Sequence, residues 1–258
     1  MTGGRAGRGE RAAPVLLGAV VLAVWQGLVW GFDVPSYLLP GPVSIVGAFL
    51  AAPGLLLRSL VSTLVVTFVA LVVAAALGAA MALVMELSRL ARAAIQPWAV
   101  VLQVTPIVAI APLIVVLVGN AFASLVVCAT IVAFFPVFAN TAAGLAAAPA
   151  ELRDLFRLYG AGRAQTLLRL QVPAALPFFL AGLRISGGLA LVGAVVAEFV
   201  AGSGGFASGL AYRILEAGYR LEIPRMFAAL VLLAVAGVAI NLVLGAFGAW
   251  VLRRRGEA

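Results

Sequence analysis

The sequence predicts an all-α integral membrane protein of six transmembrane helices, with a helix-turn-helix loop between the fourth and the fifth. Three observations carry this. Apolar residues make up 65 % of the 258 positions and charged residues only 10 %, whereas soluble domains carry about 25 % charged residues. Six apolar runs reach or approach the roughly 20 residues a helix needs to cross the hydrocarbon core. Arginine gathers on one set of the intervening segments, as it does in an oriented polytopic chain.

The first run, about 14–31, reads PVLLGAVVLAVWQGLVWG. Arg5 and Arg8 precede it, but no small-residue cleavage site follows, so it reads as a retained span rather than a signal peptide. The segment 35–50, PSYLLPGPVSIVGAFL, begins with proline turns and continues as a half-amphipathic helix too short to cross. The second span covers about 59–85. The third, about 97–118, is interrupted by Pro106 and Pro112, both read as kinks. The fourth covers about 121–144, the fifth about 174–200 and the sixth about 226–252. The connection 201–225 opens with GSGGF and carries mixed charges. Like 35–50, it reads as a piece lying at the interface. No internal repeat or low-complexity linker divides the chain, so residues 1–258 are expected to form a single transmembrane domain.

Six spans put both termini and two internal loops on one side. That side holds Arg5, Arg8, Arg11, Arg89, Arg92, Arg153, Arg157, Arg163, Arg169 and Arg253, Arg254, Arg255, which is twelve of the 17 basic residues. The other side holds Arg58, Arg213, Arg220 and Arg225, and Arg184 is left inside the fifth span. The positive-inside rule therefore places both termini and the 145–173 loop in the cytoplasm.

Absences exclude several functions. There is no histidine and no lysine, and the one cysteine is Cys128. A P-loop lacks its lysine, cysteine-histidine metal sites and histidine-based triads lack their parts, and no intrachain disulfide can form. The net charge of +8 is carried by loop arginines. It is accounted for by the membrane, and no nucleic-acid partner is expected. A stand-alone secondary transporter or channel calls for more polar groups at mid-membrane than this chain offers.

The loop ELRDLFRLYGAGRAQTLLRLQVPAALP, 151–177, stands out in this apolar background. Pro149 suits a first helical turn, and Glu151 and Asp154 favour a helix N-terminus. Leu152, Leu155, Phe156 and Tyr159 fall on one helical face. Gly160 is placed to stop the helix. A second short helix, about 163–171, would present Ala164, Leu167 and Leu168, with Pro173 ending it and Pro177 marking entry to the fifth span. The first helix is roughly 15 Å long. Its apolar face fits either membrane lipid or a groove on a soluble partner.

Asp154-Leu155-Phe156, three residues, Gly160, nine residues, then Leu170-Gln171-Val172-Pro173 resembles the cytoplasmic signature of permease subunits of ATP-binding-cassette importers: E-A-A, three residues, G, nine residues, I-x-L-P. Leu155 and Phe156 depart from it, replacing small alanines. The blocks LLPGPVSIVGAFL, TPIVAIAPLIVVLVG, AFFPVFANTAAGL and PAALPFFLAGLRISGGLALVGAVVAEFVAG look like the successive blocks of the sulfonate, nitrate and taurine branch. LVGN at 117–120 replaces that branch's tryptophan-phenylalanine-glycine. The resemblance implies the type I importer permease fold and a homodimer of permease subunits. It also implies two copies of a separate ATPase and an extracytoplasmic solute-binding protein. No cofactor is implied on this chain, since ATP and Mg would sit on the ATPase. The implied solute is a sulfonate-, nitrate- or taurine-like anion, with a pyrimidine- or flavin-type vitamin precursor as the alternative. The ATPase-coupling residues are then Asp154, Leu155, Phe156, Tyr159, Gly160, Leu170 and Pro173. Arg153, Arg157 and Arg163 either pair with acids on the ATPase or serve as positive-inside charge.

Four further residues are candidates for the translocation path or its gate. Glu198 is the one acid deep in a span, where ionisable groups are costly. The alternative for it is a hydrogen-bonded anchor. Arg184 lies about 21 Å away along the same helix, too far to pair with it. Gln103 and Thr105 adjoin Pro106, where a broken helix can free carbonyls toward a cavity. Asn140 is polar within the fourth span, where such groups otherwise join helices. Gly182, Gly187, Gly188 and Gly193 read as close-packing positions, with the dimer interface as one possible place.

Overall fold

The computed structural model describes residues 8–201 and 208–256. Arg5 and the GSGGF segment therefore lie outside the described residues. All the regular elements among the described residues are helical. Five helices are long and apolar enough to cross a membrane, and a sixth span exists if one bent pair counts as a single crossing. The helices group into two compact units, Met1–Leu57 with Arg213–Leu232, and Arg58–Tyr212 with Leu233–Ala258.

In the first unit, α1 runs Arg8–Gly31 and α2 Pro42–Ala51. The short helix expected after the proline turns is therefore present, ten residues long. Its N-cap, Gly41, has no side chain to offer. The amide oxygen of Gln26 in α1 fills that place, accepting the Val43 N–H at 3.0 Å. Trp25 of α1 packs on Phe227, with ring centroids 6.2 Å apart. Short i,i+3 and i,i+4 ion pairs, Arg213 and Arg220 with Glu216 and Arg225 with Glu222, lie in the segment 213–225.

The second unit carries most of α3, Pro53–Leu87, and then α4, Arg89–Val104, and α5, Ile107–Val118. The expected third span is a pair of helices meeting at 104°. The break falls at Thr105–Pro106, where the residue before proline is held extended, ψ 121°. Pro112 does not break the chain and sits inside α5. Gly119, with φ +65°, stops α5, and Asn120 caps α6, Ala121–Ala146, accepting the Ala123 N–H at 2.9 Å. The LVGN stretch is thus a stop and a start back to back.

After α6 come α7, Ala150–Leu158, and α8, Arg163–Thr166, which passes through a π turn, Leu167–Gln171, directly into α9, Val172–Ala201. Here the sequence expectation needs correction. Pro173 does not end the second short helix, and Pro177 does not mark an entry. Arg163–Ala201 is one helix of 39 residues. The widened i→i+5 hydrogen bonding, with the Val172 N–H reaching the Leu167 carbonyl, makes room for the proline ring in the next turn. The extra residue also rotates the helix face. Leu167 is buried while Leu168 is exposed, so the expected shared face of Ala164, Leu167 and Leu168 is split. Two helices follow: α10, Leu210–Tyr219, and α11, Ile223–Arg254.

The centre of this unit is the α6–α9 pair. A Cβ on Gly182 would lie 2.7 Å from the Pro136 carbonyl oxygen, and one on Gly193 2.8 Å from the Ala129 Cα. These two positions let the backbones approach as small residues do in membrane bundles. The Ser186 hydroxyl, between them, donates to the Ala133 carbonyl at 2.6 Å. Gly187 faces Leu244 and Ile240 of α11, and Gly188 faces nothing within 4 Å. Three of the four glycines thus pack within the chain rather than at a dimer interface. Around the pair, Phe134 stacks on Phe138 at 5.5 Å, and Cys128 is fully buried.

Candidate functional site

The loop between α6 and α7 is built by capping. Pro149 precedes α7 in extended conformation, and Glu151 lies in the first turn, where the helix dipole favours an acid. At the other end Gly160 has φ +72°. Its N–H donates to the Arg157 carbonyl, and the Ala161 N–H donates to the Phe156 carbonyl, both at 2.9 Å. These are the two bonds of a Schellman stop, which needs a residue at ease in the left-handed region. Gly160 therefore ends the helix as its position predicts.

The face of α7 is exposed. Leu155 is 44 % accessible, Leu158 85 % and Tyr159 84 %, while Phe156 is half-buried. Leu158 was missed by the sequence reading, although it lies three residues beyond Leu155 and one before Tyr159. Asp154 pairs with Arg157 at 3.3 Å. Arg153 is committed within the chain: its guanidinium donates to the carbonyls of Ala146 and Ala148, closing the C-terminal end of α6. An intrachain role thus occupies one of the arginines considered for pairing with a partner. Leu170 and Pro173 lie half-buried on the π turn and the first turn of α9.

Behind the π turn is a polar cluster that the sequence did not single out. The Gln171 amide donates to Glu86 Oε1 at 2.8 Å and to the Leu145 carbonyl at 3.2 Å. The other oxygen of Glu86 accepts from Arg92 at 2.5 Å. One acid thereby joins the end of α3, the start of α4 and the π turn. The available signal was an acid at the edge of a span with arginines three and six residues on.

Gln103 and Thr105 do come together. Both line a cavity of about 300 Å³ with Ile107, Phe135, Pro136 and Leu189, where α4 and α5 part beside α6 and α9. The Thr105 hydroxyl donates to the Val101 carbonyl at 2.6 Å. Asn140 does not join them. Its amide donates to the Pro136 carbonyl at 2.8 Å, and its Cβ abuts Gly182. A second cavity of about 300 Å³ opens between α3, α4 and α6 and is lined by Glu86, Arg92, Gln96 and Phe138.

Glu198 is 2 % exposed near the end of α9. One carboxyl oxygen accepts the Thr63 hydroxyl at 2.8 Å, and the other accepts the Ala211 N–H at 3.0 Å. Thr63 in turn accepts the Leu210 N–H at 2.9 Å. The first two amides of α10 are thus capped by side chains from α9 and α3. A Cβ on Gly209 would coincide with the carboxyl group. This geometry is that of an anchor. The sequence could flag Glu198 as costly but could not find Thr63, 135 residues away.

Apolar spans, one of them broken beside a cavity and two joined through an exposed, capped amphipathic helix, define a polytopic membrane protein. The chain belongs to the family described as the binding-protein-dependent transport system inner membrane component, whose model matches residues 74–257. It is 36 % identical to the riboflavin transport system permease protein RibX of Chloroflexus aurantiacus, over 90 % of this chain and 85 % of that one. It is 34 % identical to a probable ABC transporter permease protein of Haemophilus influenzae, over 93 % and 95 %. A Bacillus subtilis permease named for aliphatic sulfonates transport, SsuC, is 32 % identical over 86 % and 80 %. The crystal structure of an amino acid ABC transporter with histidines shares the fold, with a TM-score of 0.63 at 20 % identity, covering 78 % of this chain and 96 % of that one. The chain is therefore a multi-pass inner-membrane transport subunit of an ABC importer, a class that works with an ATPase and a solute-binding protein.

Proposed function

We propose that two copies of this chain form the translocation path of the importer and that α7 seats in a groove on each of two ATPase subunits. The observation that carries this is the exposed face of Leu155, Leu158 and Tyr159, ended by the Gly160 stop. Apolar side chains held outward at fixed helical spacing suit a groove on a protein. Asp154, Phe156, Leu170 and Pro173 shape and support that contact. ATP and Mg sit on the ATPase, and this chain carries no cofactor. The arginine distribution supports a cytoplasmic position for α7 and both termini. Leu155→Arg should abolish co-purification of the ATPase while leaving the permease as stable as before, because surface substitutions usually stay within about 0.5 kcal/mol. A variant that keeps its ATPase and its uptake would overturn the docking role and favour lipid contact.

For the solute, a small sulfonate-like anion is the first reading, supported by the resemblance to SsuC. A flavin- or pyrimidine-type vitamin precursor is the second, supported by the 36 % identity to RibX. Gln103 and Thr105 at the broken span line the path in either case, and Glu198 ties the end of α9 to the first turn of α10. Thermal shifts of the cognate binding protein against both solute classes separate them.

A further inference from the structure

Arg184 is a charged residue inside an expected span that takes no part in α7 or in the Glu198 anchor. It lies about 18 Å along α9 from Val172 and about 26 Å from Ala201. Within the span expected at 174–200 it lies about 15 Å from one end and about 24 Å from the other, inside the apolar stretch. Yet it is exposed. A guanidinium facing hydrocarbon at that depth is expensive, so this face of α9 meets water or protein instead.

Its surroundings are built. The Asn241 amide oxygen, on α11, accepts from both Nε and one terminal nitrogen of Arg184, at 3.2 and 2.8 Å. The guanidinium then passes over Gly245, where a Cβ would lie 3.3 Å from its Cζ. The fork is oriented, and most of its five N–H donors remain unspent. Among the described residues no carboxyl group forms an ion pair with it. A pair serving only to join two helices needs no charge and would be buried between them.

The neighbouring face is open. Ile185 is 52 % and Val192 53 % exposed, and Gly188 has nothing within 4 Å. Leu189, on the far border of that face, lines the cavity that holds Gln103 and Thr105. An oriented cation thus stands on one edge of an open, mainly apolar strip, and a polar-lined cavity on the other.

We propose that Arg184, oriented by Asn241, is an anion-binding point on the translocation path, taking one sulfonate- or carboxylate-type headgroup whose small body lies along Ile185 and Gly188. This rests on the importer reading above and selects the anionic solute class within it.

The test uses the full chain in membrane vesicles, with Cys128→Ala and Ile185→Cys. Its probes are two thiol reagents of similar size, anionic methanethiosulfonate ethylsulfonate and cationic methanethiosulfonate ethyltrimethylammonium. Rates are normalised to those on a free thiol. The expected result is reaction with both, the anionic reagent favoured about threefold or more by the neighbouring cation. The preference should disappear in Arg184→Gln and persist in Arg184→Lys. No reaction with either reagent, or a normalised ratio at or below one with Arg184 intact, overturns the proposal. So does a ratio unchanged by Arg184→Gln in protein that still elutes as a single folded species. The measurement needs no ATPase, so failure of the importer reading would appear separately, as the absence of an ATPase co-purifying with the wild-type chain.

Discussion

Replacing Glu198 by alanine and by glutamine separates an anchor from a pathway group. In Glu198→Ala the Ala211 N–H loses its acceptor in a buried place. An unsatisfied buried amide costs about 1–3 kcal/mol. Truncation also leaves a void where the carboxyl group met Gly209, adding on the order of 1 kcal/mol. Thr63 suffers less, because its hydroxyl can turn to the Ser59 carbonyl, already 3.2 Å away. The sum is about 2–4 kcal/mol. In Glu198→Gln the amide oxygen can keep the Ala211 N–H and the amide nitrogen can face Thr63, whose proton moves to Ser59. The expected cost is about 1 kcal/mol or less. Thermal unfolding of detergent-purified protein should show this as a fall of roughly 4–16 °C for alanine and at most about 4 °C for glutamine. An alanine variant that melts like wild type but fails to transport would refute the anchor and restore a gating role.

Other outcomes follow from the same geometry. Gly209→Ala should destabilise the protein by about 1–3 kcal/mol through collision with the Glu198 carboxyl group. Combined with Glu198→Ala it should cost less than the sum of the two, a non-additivity measurable in a double-mutant cycle. Gly182→Val should force α6 and α9 apart and lower the melting temperature by several degrees. Gly188→Val, with open space around it, should leave that temperature unchanged within error. Gly160→Ala should weaken α7 alone by about 1 kcal/mol, because a Cβ is strained at φ +72°. Faster amide exchange confined to α7 would register it.

Much of the bundle was legible because spans announce themselves by apolar length, and the loop by its stop and its spacing. Gly160 could be placed from sequence because a Schellman stop is local: its two hydrogen bonds close within six residues. The π turn could not. Proline in a helical run usually reads as a stop, and only the altered hydrogen bonding before Pro173 lets the helix continue. Arg153 read equally well as a partner-facing cation, since nothing in the sequence shows the α6 carbonyls it closes. Asn140 and Glu198 fall in the same class. A polar side chain in a span signals cost, but whether it is paid by a neighbour in the fold or by a solute depends on contacts far along the chain.

One consequence of the unbroken helix Arg163–Ala201 concerns how force would pass along it. At 39 residues it is about 58 Å long, continuous through the π turn Leu167–Gln171 from a first turn beside Gly160 to a last beside Glu198. Its close approaches to α6 run from Ala175 and Phe178, against Gly144, through Gly182 at the midpoint to Gly193, so α6 braces it along more than one seat. A sideways push at residue 163 therefore meets these seats first at Ala175 and Phe178. Whatever displacement reaches the far end is carried to the first turn of α10 through the bonds of Glu198.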